Sequence, residues 1–138
     1  MSINALLSGA HEARDQDALA NVAGRPIIGG FSLGARIAAR LCQDVAPLGL
    51  LCFGFPFRTG LESLSRVQVP TRIIQGARDN YGTQAHVRGY QLPDSVEMVW
   101  VPDGNHRFRP RKRSGLTAEE NIAAVTDSAI SFIQSCHL

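Results

Sequence analysis

The chain has 138 residues, 44% of them hydrophobic, and a formal net charge of +2. That is the size of one domain with enough apolar side chains to bury a core, and 1–138 reads as a single unit. So small a charge argues against the basic face of a nucleic-acid binder, and no apolar run approaches the ~20 residues of a membrane-spanning helix, so neither nucleic acid nor membrane is expected as a partner.

Residues 3–21 are rich in Ala, Leu, Glu and Asp and lack proline, which favours a helix. Gly24 stops it and Pro26 opens the next element. No basic segment leads into an apolar core there, so no signal peptide is read. Four short apolar runs follow: Pro26–Gly29, Leu48–Phe53, Thr71–Gln75 and Glu97–Val101. Three of them show little polar alternation, the pattern of strands buried on both faces of a parallel sheet. A helix is predicted over Ala35–Asp44, with Ile37, Ala38 and Leu41 on its apolar side, and another near Thr83–Gly89. A last helix starts near Thr117, where Thr117 and Glu120 form a capping box. Ile122, Val125, Ala129, Ile130 and Ile133 are expected to mark its buried stripe. Pro56–Pro70 is a connection with little periodicity, and Arg107–Arg113 is a basic loop. This alternation of helix and strand predicts an α/β fold, with a mainly parallel sheet of about four strands flanked by helices.

Cys42, Cys52 and Cys136 are odd in number and lack metal-ligand spacing. They read as reduced, mostly buried thiols of a cytoplasmic protein, with no metal and no cofactor expected.

The first strand runs into Gly30-Phe31-Ser32-Leu33-Gly34, which fits G-x-S-x-G. Where such a run joins a strand to a helix, the serine is held in a strained turn and its hydroxyl projects. The flanking positions are expected to be small because strand and helix approach closely. The N–H of Leu33 would then face a developing oxyanion. A dinucleotide-binding turn would need a second glycine where Phe31 stands, and a phosphate-binding loop would need Gly-Lys-Ser/Thr. A purely structural turn remains the competing reading.

A serine hydroxyl needs a base, and the base needs an acid to orient it. Asp79 follows the third strand and His106 the fourth, which puts both on the sheet edge that carries Ser32. The order Ser, Asp, His is that of the α/β-hydrolases. Asp79 could instead cap a turn with Asn80, and His106 could be a loop histidine with a structural hydrogen bond. Asp103, three residues from His106 in one tight loop, could orient that loop and is a second choice for the acid; Glu97 is also near. His11, His86 and His137 are poorly placed. The basic stretch from Arg107 to Arg113 is most simply solvated; alternatively it draws an anionic substrate or stabilises charge near His106.

Gly29–Arg36, Val69-Pro70 leading to Gln75–Thr83, and Pro102–His106 together resemble the KANL3/Tex30-like branch of the α/β-hydrolases, which is related to the dienelactone-hydrolase-like enzymes. Residues 114–121 also fit that branch's approach to its last helix. The resemblance covers roughly residue 20 to the C-terminus. It implies Ser32 as nucleophile, Asp79 as acid and His106 as base. Its members are mostly predicted hydrolases, and some eukaryotic ones are non-enzymatic subunits of complexes. Members also carry a His-Gly-Ala-Gly-like loop well ahead of the serine turn, which supplies a second oxyanion donor. No such motif precedes Ser32 here, so the chain is expected to represent the C-terminal half of the fold.

The resulting expectation is a serine hydrolase of small esters, thioesters or lactones, with an open, shallow site, since Gly54–Pro70 leaves little room for a lid. The alternative is a binding or scaffold protein that keeps the fold without efficient turnover. An exposed first strand predicts a homodimer through Pro26–Gly29.

Overall fold

The computed structural model describes residues 24–137. The helix read over residues 3–21, and His11 with it, lies outside them. Strands β1 (Ile27–Phe31), β2 (Gly49–Phe53), β3 (Thr71–Gly76) and β4 (Val96–Val101) form one sheet in the order β1-β2-β3-β4. Every neighbouring pair is parallel. Each strand coincides with one of the apolar runs. β2 and β3 are the inner strands and are almost wholly buried, whereas Gly29 and Phe31 on β1 are exposed. Among the described residues β1 is therefore an edge strand.

Alternate side chains on the inner strands feed two separate cores, because successive residues of a strand point to opposite faces. Leu50, Cys52 and Ile73 join Ala35, Ile37, Ala38 and Leu41 on one face. Leu51, Ile74 and Val101 join Phe108, Val125 and Phe132 on the other. Each such Leu, Ile or Phe contributes roughly 1.5–3 kcal/mol by leaving water.

The first face is covered by α1 (Leu33–Leu41), which starts before the predicted Ala35 and ends short of Asp44. Residues 56–70 depart from the aperiodic connection read there: they hold the one-turn helix α2 (Phe57–Gly60) and a 3-10 turn, Leu61–Leu64. A single turn is too short to print a hydrophobic period. Its role shows instead in burial, since Phe55, Phe57 and Leu64 are all sealed in the first core. Another single turn, α3 (Gln84–Val87), is capped by the Thr83 hydroxyl, which accepts from the His86 N–H at 3.3 Å.

The second face is covered by α4 (Ala118–Cys136). The threonine half of its predicted capping box is present: the Thr117 hydroxyl accepts from the Glu120 N–H at 3.1 Å. Its predicted stripe needs correcting. Val125 is buried, but Ile122, Ile130 and Ile133 are 50%, 49% and 39% exposed. The inward face runs through Asn121, Val125 and Phe132, with Ala129 and Cys136 partly buried beside it. Spacings of four and seven define that face, and the isoleucines lie beside it. Polar Asn121 took the place where an apolar residue was sought.

Candidate active site

The serine turn is built from backbone. Ser32 follows β1 and precedes α1, with φ 55° and ψ −116°. A non-glycine residue held there costs of order 1–3 kcal/mol and persists only if its surroundings fix it. They do so on both sides: the Ser32 N–H donates to Phe53 O at 2.9 Å, and its carbonyl accepts from the Ala35 and Arg36 N–H groups at 3.0 and 3.2 Å. A Cβ on Gly30 would collide with the Gly34 carbonyl and the Ala35 nitrogen. Position 30 must therefore be glycine. Gly34 differs from the expectation, since a Cβ there would meet nothing within 4 Å. The strand end approaches the Gly34 backbone, and the space where a Gly34 side chain would lie is open. Leu33 is the first residue of α1, and its N–H has no acceptor among the described residues.

Asp79 lies in the turn after β3 and is fully buried. Its Oδ1 accepts from the Tyr81 N–H at 2.9 Å. Its Oδ2 is 2.7 Å from His106 Nδ1, and His106 Nε2 is 3.0 Å from Ser32 Oγ. A carboxylate only accepts, so Nδ1 carries the proton and Nε2 is left to accept from the serine hydroxyl. The imidazole packs against two tilted aromatic rings, with centroid distances of 4.9 Å to Phe31 and 4.7 Å to Tyr81. Behind it, Gly54 follows β2 with φ 60°, and a Cβ there would come within 3.1 Å of His106 Cε1. The ends of β1, β3 and β4 thus each supply one side chain, and the end of β2 supplies the gap that the ring occupies.

The sequence profile of the alpha/beta hydrolase domain matches residues 4–134. The chain belongs to the α/β-hydrolase family. Among solved structures it is similar to an alpha-beta serine hydrolase homologue from Coxiella burnetii, at 29% identity over 58% of this chain, TM-score 0.48. It is also similar to a lidless serine hydrolase from Xanthomonas campestris, at 29% identity over 59% of this chain, TM-score 0.49. The chain spans only 40% and 38% of those two proteins. A serine hydrolase involved in carbazole degradation shares the fold more broadly, with TM-score 0.62 over 92% of this chain and 71% of that one, at 15% identity. No curated protein sequence matches.

In this α/β-hydrolase the other candidate groups are engaged elsewhere or exposed. Asp103 accepts from the Arg111 backbone N–H at 2.8 Å and from its guanidinium, and forms an ion pair with Arg78 at 3.4 Å. Those Arg111 hydrogen bonds pull its carboxyl down to about 2. It braces the His106 loop and does not touch the imidazole. Glu97 pairs with Arg72 at 2.7 Å. His86 and His137 are exposed. Within the basic stretch, Arg111 is held by Asp103, while Arg107 and Arg109 border a cleft of about 660 Å³ beside Phe31, together with Phe108, Glu119 and Ile122. Cys42, Cys52 and Cys136 are free thiols, but only Cys52 is buried and the other two are partly exposed, short of the mostly buried set expected; burial pushes Cys42 up to about 11 and Cys52 higher still. No helix among the described residues is long and apolar enough to cross a membrane.

Three contributors were not read from the sequence. Tyr81 both packs its tilted ring against the imidazole and donates its N–H to the acid. Gln75, fully buried, accepts from the Phe55 N–H at 2.7 Å and donates to the carbonyls of Phe55 and Gly82 at 3.1 and 3.2 Å. It ties the ends of β2 and β3 to the Asp79 turn. A glutamine closing an apolar strand is a usable signal, because a buried amide must find partners. The third, Asn121, is taken up below.

Proposed function

We propose that the chain hydrolyses small esters, thioesters or lactones through an acyl-enzyme, with Ser32 as nucleophile, His106 as base and Asp79 as the acid that orients it. The observation that carries this reading is the continuous relay from Asp79 Oδ2 through His106 to Ser32 Oγ, with steps of 2.7 and 3.0 Å. Nε2 takes the hydroxyl proton as Oγ attacks the carbonyl carbon. The carbonyl electrons move onto oxygen, which the free Leu33 N–H stabilises. Collapse expels the alkoxide or thiolate, which receives the proton from the imidazolium. Water then repeats the sequence on the acyl-serine, giving the acid and restoring Ser32. The strained Ser32 backbone supports this reading, since strain of that kind concentrates at functional positions.

The open cleft beside Phe31 and the short link after β2 favour small substrates that need no lid. The motifs at 29–36, 75–83 and 102–106 favour the KANL3/Tex30-like branch, and the free thiols favour a reducing cytoplasmic setting. The deciding experiment is labelling with a fluorophosphonate probe. Intact protein is expected to take up the label at Ser32, and Ser32→Ala to lose it. No label on intact protein, under conditions that label an ordinary esterase, overturns the hydrolase and leaves the binding-protein alternative.

A further inference from the structure

The loop that carries His106 holds two non-glycine residues on the left-handed side of backbone space: Asp103 at φ 53° and Phe108 at φ 68°. Phenylalanine gains nothing locally from that conformation, so it must be imposed from outside. One side chain reaches both strained points. Asn121, on α4 and only 3% exposed, donates from Nδ2 to Pro102 O at 3.1 Å and to Phe108 O at 2.9 Å. Pro102 immediately precedes Asp103, and Phe108 is the second strained residue. One primary amide therefore spends both of its N–H groups on the two ends of the segment that presents the imidazole.

The other attachments act at different points. The Asn105 carboxamide oxygen accepts from the Arg107 and Arg109 N–H groups, which shapes the loop from within. Arg78 donates to the carbonyls of Asp103 and Arg109, which ties the loop to the Asp79 turn. Asn121 alone among these ties it to the long helix under the second core.

We propose that Asn121 is a positioning residue for His106: by pinning Pro102 and Phe108 it keeps Nε2 within reach of Ser32 Oγ. This rests on His106 being the base of the proposed reaction.

Asn121→Ala removes both bonds. Asn121→Ser keeps one short donor and serves as the decisive variant if the alanine protein does not fold. Val125→Ala, one turn further along the same buried face of α4, is the control for lost stability without lost anchoring. Two readouts are compared at a temperature where circular dichroism shows each protein folded. The first is the rate of fluorophosphonate labelling. It is expected to fall about 10- to 100-fold in the Asn121 variants, the scale of an ångström-sized misplacement, and to stay within about twofold of wild type in Val125→Ala. The second is the low-field proton resonance of His106 Nδ1–H, which is expected in wild type and in Val125→Ala and to broaden away in the Asn121 variants. Asn121 variants that label like Val125→Ala and keep a sharp resonance overturn the proposal. If no protein labels at all, the hydrolase reading fails, and the resonance alone still decides whether Asn121 positions the imidazole.

Discussion

Gly30 and Gly34 flank Ser32 symmetrically in sequence but not in space: a Cβ on Gly30 would run into the Gly34 backbone, while one on Gly34 would meet nothing. Gly30→Ala is therefore expected to destabilise by about 1–3 kcal/mol, the usual cost of overpacking, and to distort the serine turn. Gly34→Ala lies in the first turn of α1, where alanine is the better helix former by up to ~1 kcal/mol, so it should be neutral or stabilising. Urea unfolding of the two variants checks the contrast, and equal losses would contradict it.

Ser32 holds backbone strain at the position of the proposed nucleophile. Ser32→Gly relieves a φ of 55° and is expected to raise stability by about 1 kcal/mol while abolishing covalent labelling. Thermal unfolding and labelling of the same preparation measure both. A loss of stability would show that the serine side chain, and not the backbone, dominates the local energetics.

Asp79→Asn keeps the shape of the acid and the Tyr81 N–H contact but offers the imidazole an amide in place of a carboxylate. The imidazole then has no fixed partner to hold its proton on Nδ1. Turnover of a small activated ester is expected to fall by roughly 10³- to 10⁴-fold, with little change in KM. A drop of less than tenfold would remove Asp79 from the mechanism.

Asp103 makes a pH-dependent contribution. Its carboxyl is lowered from 3.8 to about 2 by Arg111. A lowered folded-state value means the ion pair stabilises fully above the unfolded value and fades as pH falls through the folded one. Asp103→Asn should thus lower Tm at pH 7, and the gap to wild type should close between about pH 4 and pH 2. A gap that persists below pH 2 would assign the effect to packing.

β1 presents an unpaired edge among the described residues, with Gly29 and Phe31 exposed. Such an edge is a template for pairing, and a homodimer through Pro26–Gly29 is expected by light scattering at micromolar concentration. A monomer at that concentration counts against it.

The strands and the order Ser32, Asp79, His106 were legible because apolar runs bounded by glycine and proline mark buried parallel strands, and chemistry follows their C-terminal ends. Two things were not legible. The one-turn helix and 3-10 turn between Phe57 and Leu64 carry no period, since their anchoring depends on Phe57 meeting a core assembled from distant residues. The buried face of α4 was misread because three isoleucines outweighed one asparagine. Only the two carbonyls of the folded His106 loop explain why a polar residue sits there. The part of Asp103 in shaping the His106 loop was legible from its place three positions away, but its partners Arg78 and Arg111 were not, since nothing local announces them.

The serine and the imidazole are 74 positions apart and follow the two outermost of the described strands, with β2 and β3 between them. Probe reactivity is thereby a sensor of cooperative assembly. Under the proposed mechanism, labelling at Ser32 requires all three strand-to-strand interfaces to be in place. Its loss along a denaturant titration should superimpose on the disappearance of sheet signal, and an earlier loss would reveal a partly unzipped state that circular dichroism alone does not distinguish.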